Sequence, residues 1–365
     1  MKKKRFVLLA LLMAAALVFA ACGGSGTETP PADTGTDTEA GDAAAPPDNT
    51  VYNLVLTSHE PPDSRAANYI NTWAAAVEEA SGGRLITEIN FGGALGGPTQ
   101  TIDLILNGSV DLGFGLQSFY PNMFPMTDTV CLPMLPFDDS VQASKVFWDF
   151  YENYDFMKDE YSQYKVILLR TNSSAPIATN KVKLERVDQV KGMNVRAMAG
   201  PLNDFIISMG GSPVGVSIAD LYSAMQNNTL DAATTDWHGL YSFKIYEPTK
   251  YYADEKLLYN TYFFLMNKDS YAKLPADLQA VIDEFSGENA LNINIDDWNT
   301  IEETAKETVL ANGGDVYTLP EAEHEKLLAL AGQVQTNWIS GMEAQGFPAQ
   351  EAYDTVIELA QKYAN

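Results

Sequence analysis

The chain has 365 residues, of which 46% are hydrophobic and 19% charged, a composition typical of a globular protein with two or three domains. Asp and Glu outnumber Lys and Arg by 48 to 23, and the resulting net charge of −25 excludes a nucleic-acid binder, which needs a basic surface. The two Cys and the three His lie far apart in the sequence, without the ligand spacing of a Cys/His zinc site. We expect no nucleic-acid partner, no metal and no cofactor.

Residues 1–21 have the pattern of a bacterial lipoprotein signal peptide. Four basic residues at positions 2–5 precede an unbroken run of apolar and small residues from Phe6 to Ala21. Small residues stand directly before Cys22, as in a lipobox, although Phe19 occupies a position where Leu is usual. We expect Cys22 to become the lipidated N-terminus and to anchor the protein to the cell membrane from outside. Ordinary signal cleavage beside an incidental Cys is the alternative.

Residues 22–50 are predicted to be a disordered tether. From residue 23 onward this stretch contains five Gly, six Thr and four Pro, and it has no aromatic or branched aliphatic residue. Such a composition cannot bury a hydrophobic core. The folded part of the protein would therefore begin near Val51.

From Val51 onward, strand patterns alternate with helix patterns. Strands are predicted over 51–57, 84–89, 110–115, 164–169 and 193–196, and helices over 64–80, 99–106, 201–209 and 218–226. This alternation favours parallel sheets in a doubly wound α/β fold. Residues 275–312 are mostly helical, and we expect a long helix there that spans two lobes. Further helix is predicted over 324–362, with a break at 346–348.

No catalytic site is evident in the sequence. The three His, His59, His238 and His324, lie far apart, and none stands in a metalloprotease or nucleophile-elbow motif. The glycine-rich stretch at 91–97 lacks the Lys-Ser/Thr ending of a phosphate-binding loop. We expect the protein not to be an enzyme.

Arginine is scarce after residue 50, and one of the five is well placed to bind an anion. Arg196 ends the predicted strand 193–196, and doubly wound sheets bind ligands outside the carboxyl ends of their strands. Its planar guanidinium can pair with a carboxylate through two hydrogen bonds. From spacing alone, a structural salt bridge is an equal alternative.

Several segments together resemble the solute-binding proteins of TRAP (tripartite ATP-independent periplasmic) transporters, of the dicarboxylate-binding DctP type. These segments are 92–97, 106–113, 124–126, 132–137, 190–196, 209–214, 220–226 and 229–232, and the resemblance covers about residues 51–365. It implies a type II periplasmic binding protein fold, in which two doubly wound α/β lobes are joined by hinge strands near 170–177 and 259–266 and a long helix spans both. Lobe one would comprise 51–170 plus 262–310, and lobe two 171–261 plus 311–365.

The resemblance identifies Arg196 as the carboxylate-binding arginine. Where the family often has Asp-Gly with an Asn four residues beyond the Asp, this chain has Asp231-Ala232 and Thr235. The other candidates for ligand binding follow or end predicted strands: Trp237, Thr235, Asp236, Arg170, Gln117, Tyr120, His59 and Glu60. Core packing is the alternative for Trp237, and loop surface is the alternative for the residues at 59–60 and 117–120.

The resemblance implies a protein that captures a small organic acid between its lobes and delivers it to the membrane permease subunits of a TRAP transporter. Three other functions stay open: a binding protein of an ATP-driven transporter or sensor kinase, a secreted α/β hydrolase, and a surface adhesin. An arginine anchor leaves the ligand open among C4-dicarboxylates, 2-oxo or hydroxy acids and aromatic acids.

Overall fold

The computed structural model of this protein describes residues 49–197 and 200–364. The predicted signal peptide, Cys22 and all of the predicted tether except its last two residues lie outside these ranges. Within them, no helix is both long enough and apolar enough to cross a membrane.

Strands and helices alternate along most of the described chain. The strands are β1 (Tyr52–Ser58), β2 (Leu85–Asn90), β3 (Leu112–Leu116), β4 (Tyr164–Ser174), β5 (Ile177–Thr179), β6 (Asn194–Arg196), β7 (Ser212–Val214), β8 (Ala232–Thr234), β9 (Tyr251–Ala253), β10 (Tyr259–Asn267) and β11 (Asp315–Tyr317). The helices are α1 (Arg65–Ala80), α2 (Thr101–Leu106), α3 (Ser140–Asn153), α4 (Asp155–Glu160), α5 (Pro201–Ser208), α6 (Ile218–Gln226), α7 (Trp237–Ser242), α8 (Lys268–Ala272), α9 (Ala276–Glu284), α10 (Glu288–Asn292), α11 (Ile295–Asn299), α12 (Ile301–Ala311), α13 (Glu321–Glu343) and α14 (Ala349–Lys362). The strands and helices predicted up to residue 226 are all present, although β4 runs beyond its predicted end to Ser174.

The first sheet has the strand order β2-β1-β3-β10-β4. Strand β1 pairs in parallel with β2 and β3, as predicted. Strand β10 departs from the expected parallel arrangement, because it is antiparallel to both β3 and β4. The chain leaves this sheet along β4 and returns along the neighbouring strand β10, so these two strands run in opposite directions.

The second sheet has the order β11-β9-β5-β8-β6-β7. Strand β6 is parallel to β7 and β8, whereas β5 is antiparallel to β8 and β9. Below, lobe one means the first sheet with the residues that share its hydrophobic core, and lobe two means the second sheet with its own core.

Local sequence explains the first helix and its end. The Ser64 hydroxyl accepts a hydrogen bond from the Ala67 amide at 3.0 Å, which caps the start of α1. The apolar face of α1, which includes Ile70 and Trp73, is buried in the core of lobe one. Gly82 and Gly83 adopt positive φ angles of 64° and 79°, which end the helix at little steric cost.

The glycines of β3 allow side chains to approach its backbone closely. A Cβ atom at Gly113 would lie 2.6 Å from side-chain carbons of both Ile105 and Thr101 in α2. A Cβ atom at Gly115 would lie 2.8 Å from the ring of Phe263. Helix α2 and strand β10 can therefore pack directly against β3.

Helix α13 contributes side chains to the hydrophobic cores of both lobes. Its Leu327 and Ala331 belong to the core of lobe two, whereas Ile339 and Met342 belong to the core of lobe one. With 23 residues, it is about 35 Å long. The long helix expected within 275–312 is instead divided into α9, α10, α11 and α12, with positive-φ residues at 287 and 294 between them.

The C-terminal helix α14 packs on lobe one. Its Ala352, Val356 and Leu359 lie in the same core as the residues of β1. Helix α12, in contrast, contributes Ala305 and Val309 to a core of lobe two. This packing differs from the expected boundaries, which placed 311–365 with lobe two and 262–310 with lobe one. A sequence pattern shows that a helix is amphipathic, but it does not show which sheet its apolar face covers.

Candidate functional site

A cavity lies between the two lobes, at the carboxyl ends of strands from both sheets. From lobe one it is lined by residues that follow β1 and β3 or lie on β10, including His59, Ser118 and Tyr262. From lobe two it is lined by the end of β6 and the segment after β8, including Arg196 and Thr235. Within this cavity, the centre of a sphere the size of a water molecule can occupy a volume of about 40 Å³, which is room for about three water molecules.

Arg196 is held rigidly at the carboxyl end of β6. Its Nε donates to the Val216 carbonyl at 3.2 Å, and its Nη1 donates to the Thr234 carbonyl at 3.1 Å. The Thr234 hydroxyl in turn donates to the Arg196 carbonyl at 2.7 Å. These bonds fix the orientation of the guanidinium, which lines the cavity and is only 4% exposed.

The Arg196 guanidinium forms no ion pair with any acidic residue in the described part of the chain. Burial lowers the pKa of Arg196 to about 10, while Asp236 and Tyr262 act in the opposite direction. The guanidinium therefore stays positively charged at neutral pH. A buried charge without a partner is costly, so the site is set up to receive an anion.

Asp236 lines the same cavity, but its carboxylate is already occupied. Its Oδ1 accepts hydrogen bonds from the Asn172 amide group at 2.7 Å and the Gly239 backbone amide at 2.8 Å. Its Oδ2 accepts a bond from the Asn260 amide group at 2.9 Å. The last of these bonds ties Asp236 to β10, and the first ties it to β4. Asp236 therefore organises the segment after β8 and leaves Arg196 available.

His59 faces the cavity as a neutral imidazole. Burial lowers its pKa, although the adjacent Glu60 acts in the opposite direction. Its Nε2 lies 3.5 Å from Glu60 Oε1, and its Nδ1 is buried without a hydrogen-bond partner in the described structure. The edge of its ring packs against Phe119. His59 therefore brings an unused polar atom to the cavity.

Glu60 lies outside the cavity lining and instead links the two lobes. Its Oε2 is 3.2 Å from His238 Nε2 at the start of lobe two's α7, and its Oε1 accepts a bond from the Tyr262 hydroxyl at 3.0 Å. Neither Glu60 nor His238 is exposed. Burial alone would raise the pKa of Glu60, but His238 and Tyr262 outweigh that effect and lower it to about 2. Burial alone would lower the pKa of His238, but Glu60 outweighs it and raises it. Both shifts favour the ionised form of the pair, a glutamate carboxylate beside an imidazolium.

The structure does not bring Arg170 or Trp237 to the cavity. The Arg170 guanidinium stacks 3.6 Å from the ring centre of Trp298, and burial lowers its pKa to about 9. The Trp237 ring is fully buried and stacks on Tyr252 in the core of lobe two. Trp237 follows Asp236 directly, and as the first residue of α7 it turns its ring inward. Trp237 therefore packs in the core, which is the alternative that the sequence left open, and does not contact the cavity.

Gln117 and Tyr120 lie beside a second cavity that adjoins the first. The Gln117 amide group donates to the Tyr161 hydroxyl at 3.1 Å, and its Oε1 has no partner in the described structure. The Tyr120 hydroxyl donates to the Pro98 carbonyl at 2.7 Å and accepts from the Ile102 amide at 3.1 Å. Tyr120 therefore fastens the start of α2, whereas Gln117 keeps an unused acceptor.

Sequence reasoning missed several residues of the cavity, of which Asp128, Cys131, Thr234, Asn260 and Tyr262 are polar. Asp128 and Cys131 lie in the irregular segment between β3 and α3, where no periodicity indicates which side chains point inward. Asn260 and Tyr262 belong to the predicted hinge segment 259–266, and that prediction was the one available signal for them. Among the described residues, no three His, Cys, Asp or Glu side chains are grouped as metal ligands would be.

A fixed, buried cation between two lobes, without an ion pair in the described chain, is suited to reversible binding of a small anion. The fold and this site define the class: a two-lobed α/β solute-binding protein. Residues 57–340 match the family described as bacterial extracellular solute-binding protein, family 7 (DctP), and the chain belongs to that family. Members of this family bind solutes outside the cytoplasm, and its TRAP-type members work with membrane permease components.

Individual relatives are distant in sequence but close in structure. A solute-binding protein of Verminephrobacter eiseniae is 26% identical over 216 residues, which span 59% of this chain and 64% of that protein, less than two thirds of its length. A marine metagenome TRAP solute-binding protein specific for aromatic acids, solved with 3-hydroxybenzoate, is 23% identical with a TM-score of 0.81, over 87% of this chain and 100% of the other. A TRAP solute-binding protein of Rhodoferax ferrireducens, solved with benzoate, is 24% identical with a TM-score of 0.80, over 86% and 99% of the two chains. This likeness confirms the type II periplasmic binding protein fold.

Proposed function

We propose that this protein captures a small organic acid between its lobes and delivers it to the membrane subunits of a TRAP-type transporter. The observation that carries the proposal is the Arg196 guanidinium, which is buried, charged and without an acidic partner in the described chain. A ligand carboxylate would supply the missing negative charge. Membership of the DctP family supports this function over a binding protein for an ATP-driven transporter, a hydrolase or an adhesin.

Closure of the lobes strengthens the binding of the acid. In an open cleft, water screens the attraction between Arg196 and a carboxylate. When the lobes close, water leaves and the effective dielectric falls, so the same pair attracts more strongly. The Glu60–His238 contact joins residues of opposite lobes, so it stabilises the arrangement seen in this structure. The closed shape is then the form that a permease recognises.

The remaining lining favours an acid with an apolar body. Leu116, Phe119, Ile218, Phe243 and Leu258 all border the cavity. Apolar walls with a few oriented polar groups are typical of sites for small apolar acids. The aromatic acids held by the two structural relatives fit this description, and we propose aromatic or short branched acids as the ligand class.

We also propose that residues 1–21 are a lipoprotein signal peptide, that Cys22 carries the lipid anchor, and that the segment up to residue 50 is a flexible tether. This proposal rests on the basic and apolar pattern of residues 2–21 and on the small residues before Cys22. A Cys22→Ser change should move the protein from the membrane fraction of the producing cell to the soluble extracytoplasmic fraction. If the protein stays membrane-bound after this change, the lipid anchor is wrong.

A ligand screen on Arg196 variants tests the binding function. An acid present at 100 times its Kd should stabilise the protein by about 2.7 kcal/mol. For a domain of about 300 residues, this raises Tm by about 4 °C. Arg196→Met should abolish the shift, and Arg196→Lys should reduce it because an ammonium cannot make the paired hydrogen bonds.

Arg186→Met is the matched control for loss of a positive charge. The Arg186 side chain is 57% exposed and pairs only with Asp188 among the described residues, so this variant should keep the full ligand response. An acid that stabilises Arg196→Met as much as the parent would refute Arg196 as the anchor. A folded parent that responds to no organic acid would refute the proposed function.

A further inference from the structure

The cavity contains polar groups that an acid bound at Arg196 alone would leave unused. On the lobe-one side these are His59 Nδ1, the Ser118 hydroxyl and the Asp128 carboxyl. The first two are buried without a hydrogen-bond partner in the described structure, and no hydrogen bond or ion pair to the Asp128 carboxyl is found there either. Buried polar groups in folded proteins are nearly always paired, so these groups point to a ligand that pairs with them.

Asp128 and Ser118 form the wall between two cavities. Both residues line the main cavity and also the second one, which offers about 50 Å³ to the centre of a water-sized sphere. The second cavity is otherwise lined mainly by the segment after β3, including Gln117 with its unused Oε1, and by Gly200 of lobe two. Polar acceptors therefore cluster at the end of the site that borders the second cavity.

The position of Asp128 is fixed by its own lobe. Asp128 lies on the 3-10 turn 127–129. The Glu160 carboxylate accepts hydrogen bonds from the Met126 amide at 2.6 Å and from the Thr127 amide at 3.0 Å. These bonds hold the turn in place, so the Asp128 carboxyl does not have to become ordered when a ligand arrives. Burial raises the pKa of Asp128 to about 7, as expected for an acid that lacks a nearby cation.

Asp128 also faces lobe two directly. A Cβ atom built on Gly200 would lie 3.4 Å from both carboxyl oxygens of Asp128. The two lobes thus present opposite chemistry to one site: a hydrogen-bond donor with positive charge, Arg196, from lobe two, and a hydrogen-bond acceptor, Asp128, from lobe one. A ligand that carries an acceptor at one end and a donor at the other would bridge the closed lobes.

We propose that the ligand is an organic acid with a hydroxyl or ammonium group remote from its carboxylate, and that Asp128, aided by Ser118, accepts a hydrogen bond from that group. This inference rests on the proposed function and extends it by specifying a second functional group on the ligand. An acid without a donor would leave the Asp128 carboxyl desolvated and unpaired in the closed state. Asp128 is therefore the residue that sets specificity between otherwise similar acids.

The test compares matched acids that differ in one substituent. The probes are benzoate bearing a methyl, hydroxyl or aminomethyl group at carbon 3, and butyrate bearing a methyl, hydroxyl or amino group at carbon 3. Their Kd values are measured by calorimetry on the full folded protein, on Asp128→Leu and on Asp128→Asn. Arg196→Met is measured alongside to show that binding depends on the anchor.

At pH 8, above the raised pKa of Asp128 and therefore with its carboxylate mostly ionised, the parent should bind a donor-bearing acid about 10–150-fold more tightly than its methyl analogue, the range typical of a hydrogen bond to a charged group. In Asp128→Leu this preference should fall to about twofold or less, while binding still depends on Arg196. Asp128→Asn preserves the shape of the side chain and should show an intermediate preference. The comparison of hydroxyl with ammonium probes decides which donor the site accepts.

Two results would overturn the inference and separate its failure from that of the proposed function. If the parent binds methyl and donor-bearing acids equally, or if Asp128→Leu keeps the preference, Asp128 does not select the ligand, although Arg196-dependent binding survives. If no probe binds the parent in an Arg196-dependent way, the proposed ligand class fails and the inference fails with it.

Discussion

The ion pair between Glu60 and His238 predicts a large and pH-dependent cost for one substitution. In His238→Phe the ring can still stack on Trp298, with which His238 makes a 5.7 Å ring contact, but both ring nitrogens are lost. Glu60 then stays fully buried with the Tyr262 hydroxyl as its remaining strong partner. Breaking a buried pair in this way costs about 3–5 kcal/mol. The unfolding entropy of a domain of about 300 residues is about 0.6 kcal/mol per kelvin, so Tm at pH 7 should fall by about 5–8 °C.

The cost should shrink on acidification, because the burial that raises the pKa of Glu60 is no longer opposed by His238. Glu60 in the variant should therefore take up a proton at mildly acidic pH and lose its unpaired charge. Adding Glu60→Gln to His238→Phe should recover most of the lost stability at pH 7. The assay is urea unfolding of the four members of this double-mutant cycle at pH 7 and pH 5.

His324→Phe is the matched control for the loss of a His–Glu pair. His324 also pairs with a glutamate, Glu255, at 2.6 Å, but its side chain is 42% exposed. Glu255 is buried, but water reaches its partner His324, so this variant should lose less stability than His238→Phe. A cost below about 1 kcal/mol for His238→Phe at pH 7, or equal costs for the two variants, would refute the reasoning.

Three further predictions concern the same protein. The raised pKa of His238 and the lowered pKa of Glu60 mean that this pair stabilises the fold most between about pH 4.5 and pH 6.5, the ordinary pKa values of the two groups. Unfolding free energy should fall as pH rises above 6.5 through the folded pKa of His238, and again as pH falls from 4.5 towards 2; a flat profile above pH 6.5 would contradict this. Gly113→Ala should destabilise the protein by about 1–3 kcal/mol, because its methyl group would lie 2.6 Å from side chains of α2. Gly332 lies in open space on helix α13, so Gly332→Ala should instead stabilise the protein by about 0.5–1 kcal/mol. Thermal melts that rank the two variants the other way would refute the packing argument. Burial raises the pKa of Cys131 to about 12, so iodoacetamide at pH 8 should alkylate it much more slowly in the folded protein than in the unfolded one, and equal labelling rates would contradict this.

The sequence predicted the elements whose apolar pattern is regular. Strand β1, helix α1 and strand β2 follow one another with periods of 2 and 3.6, because each buries one face against the same core. Arg196 was identifiable because it ends a strand in a fold whose ligands bind at strand ends. These inferences need only local periodicity and one topological rule.

The remaining features depend on long-range packing that no local pattern encodes. Asp128 lies on an irregular turn whose orientation is set by Glu160, about thirty residues further along the chain. Trp237 is adjacent in sequence to the cavity residue Asp236, yet the start of α7 turns its ring into the core. Strand β10 is antiparallel because the chain must return from lobe two. In each case the deciding partner is remote in sequence.

The packing of α14 on lobe one also governs the order in which the protein can fold. The core of lobe one contains Leu54 and Leu56 of β1 together with Val356 and Leu359 of α14. It therefore combines residues that lie about 300 positions apart in the sequence. As the chain emerges N-terminus first, β1 has to wait for about 300 further residues before that core can be completed. Contacts of such long sequence separation form slowly and leave apolar surface exposed in the interval. Assembly of lobe one is therefore a late event that follows the release of the C-terminus, whichever compartment receives the chain.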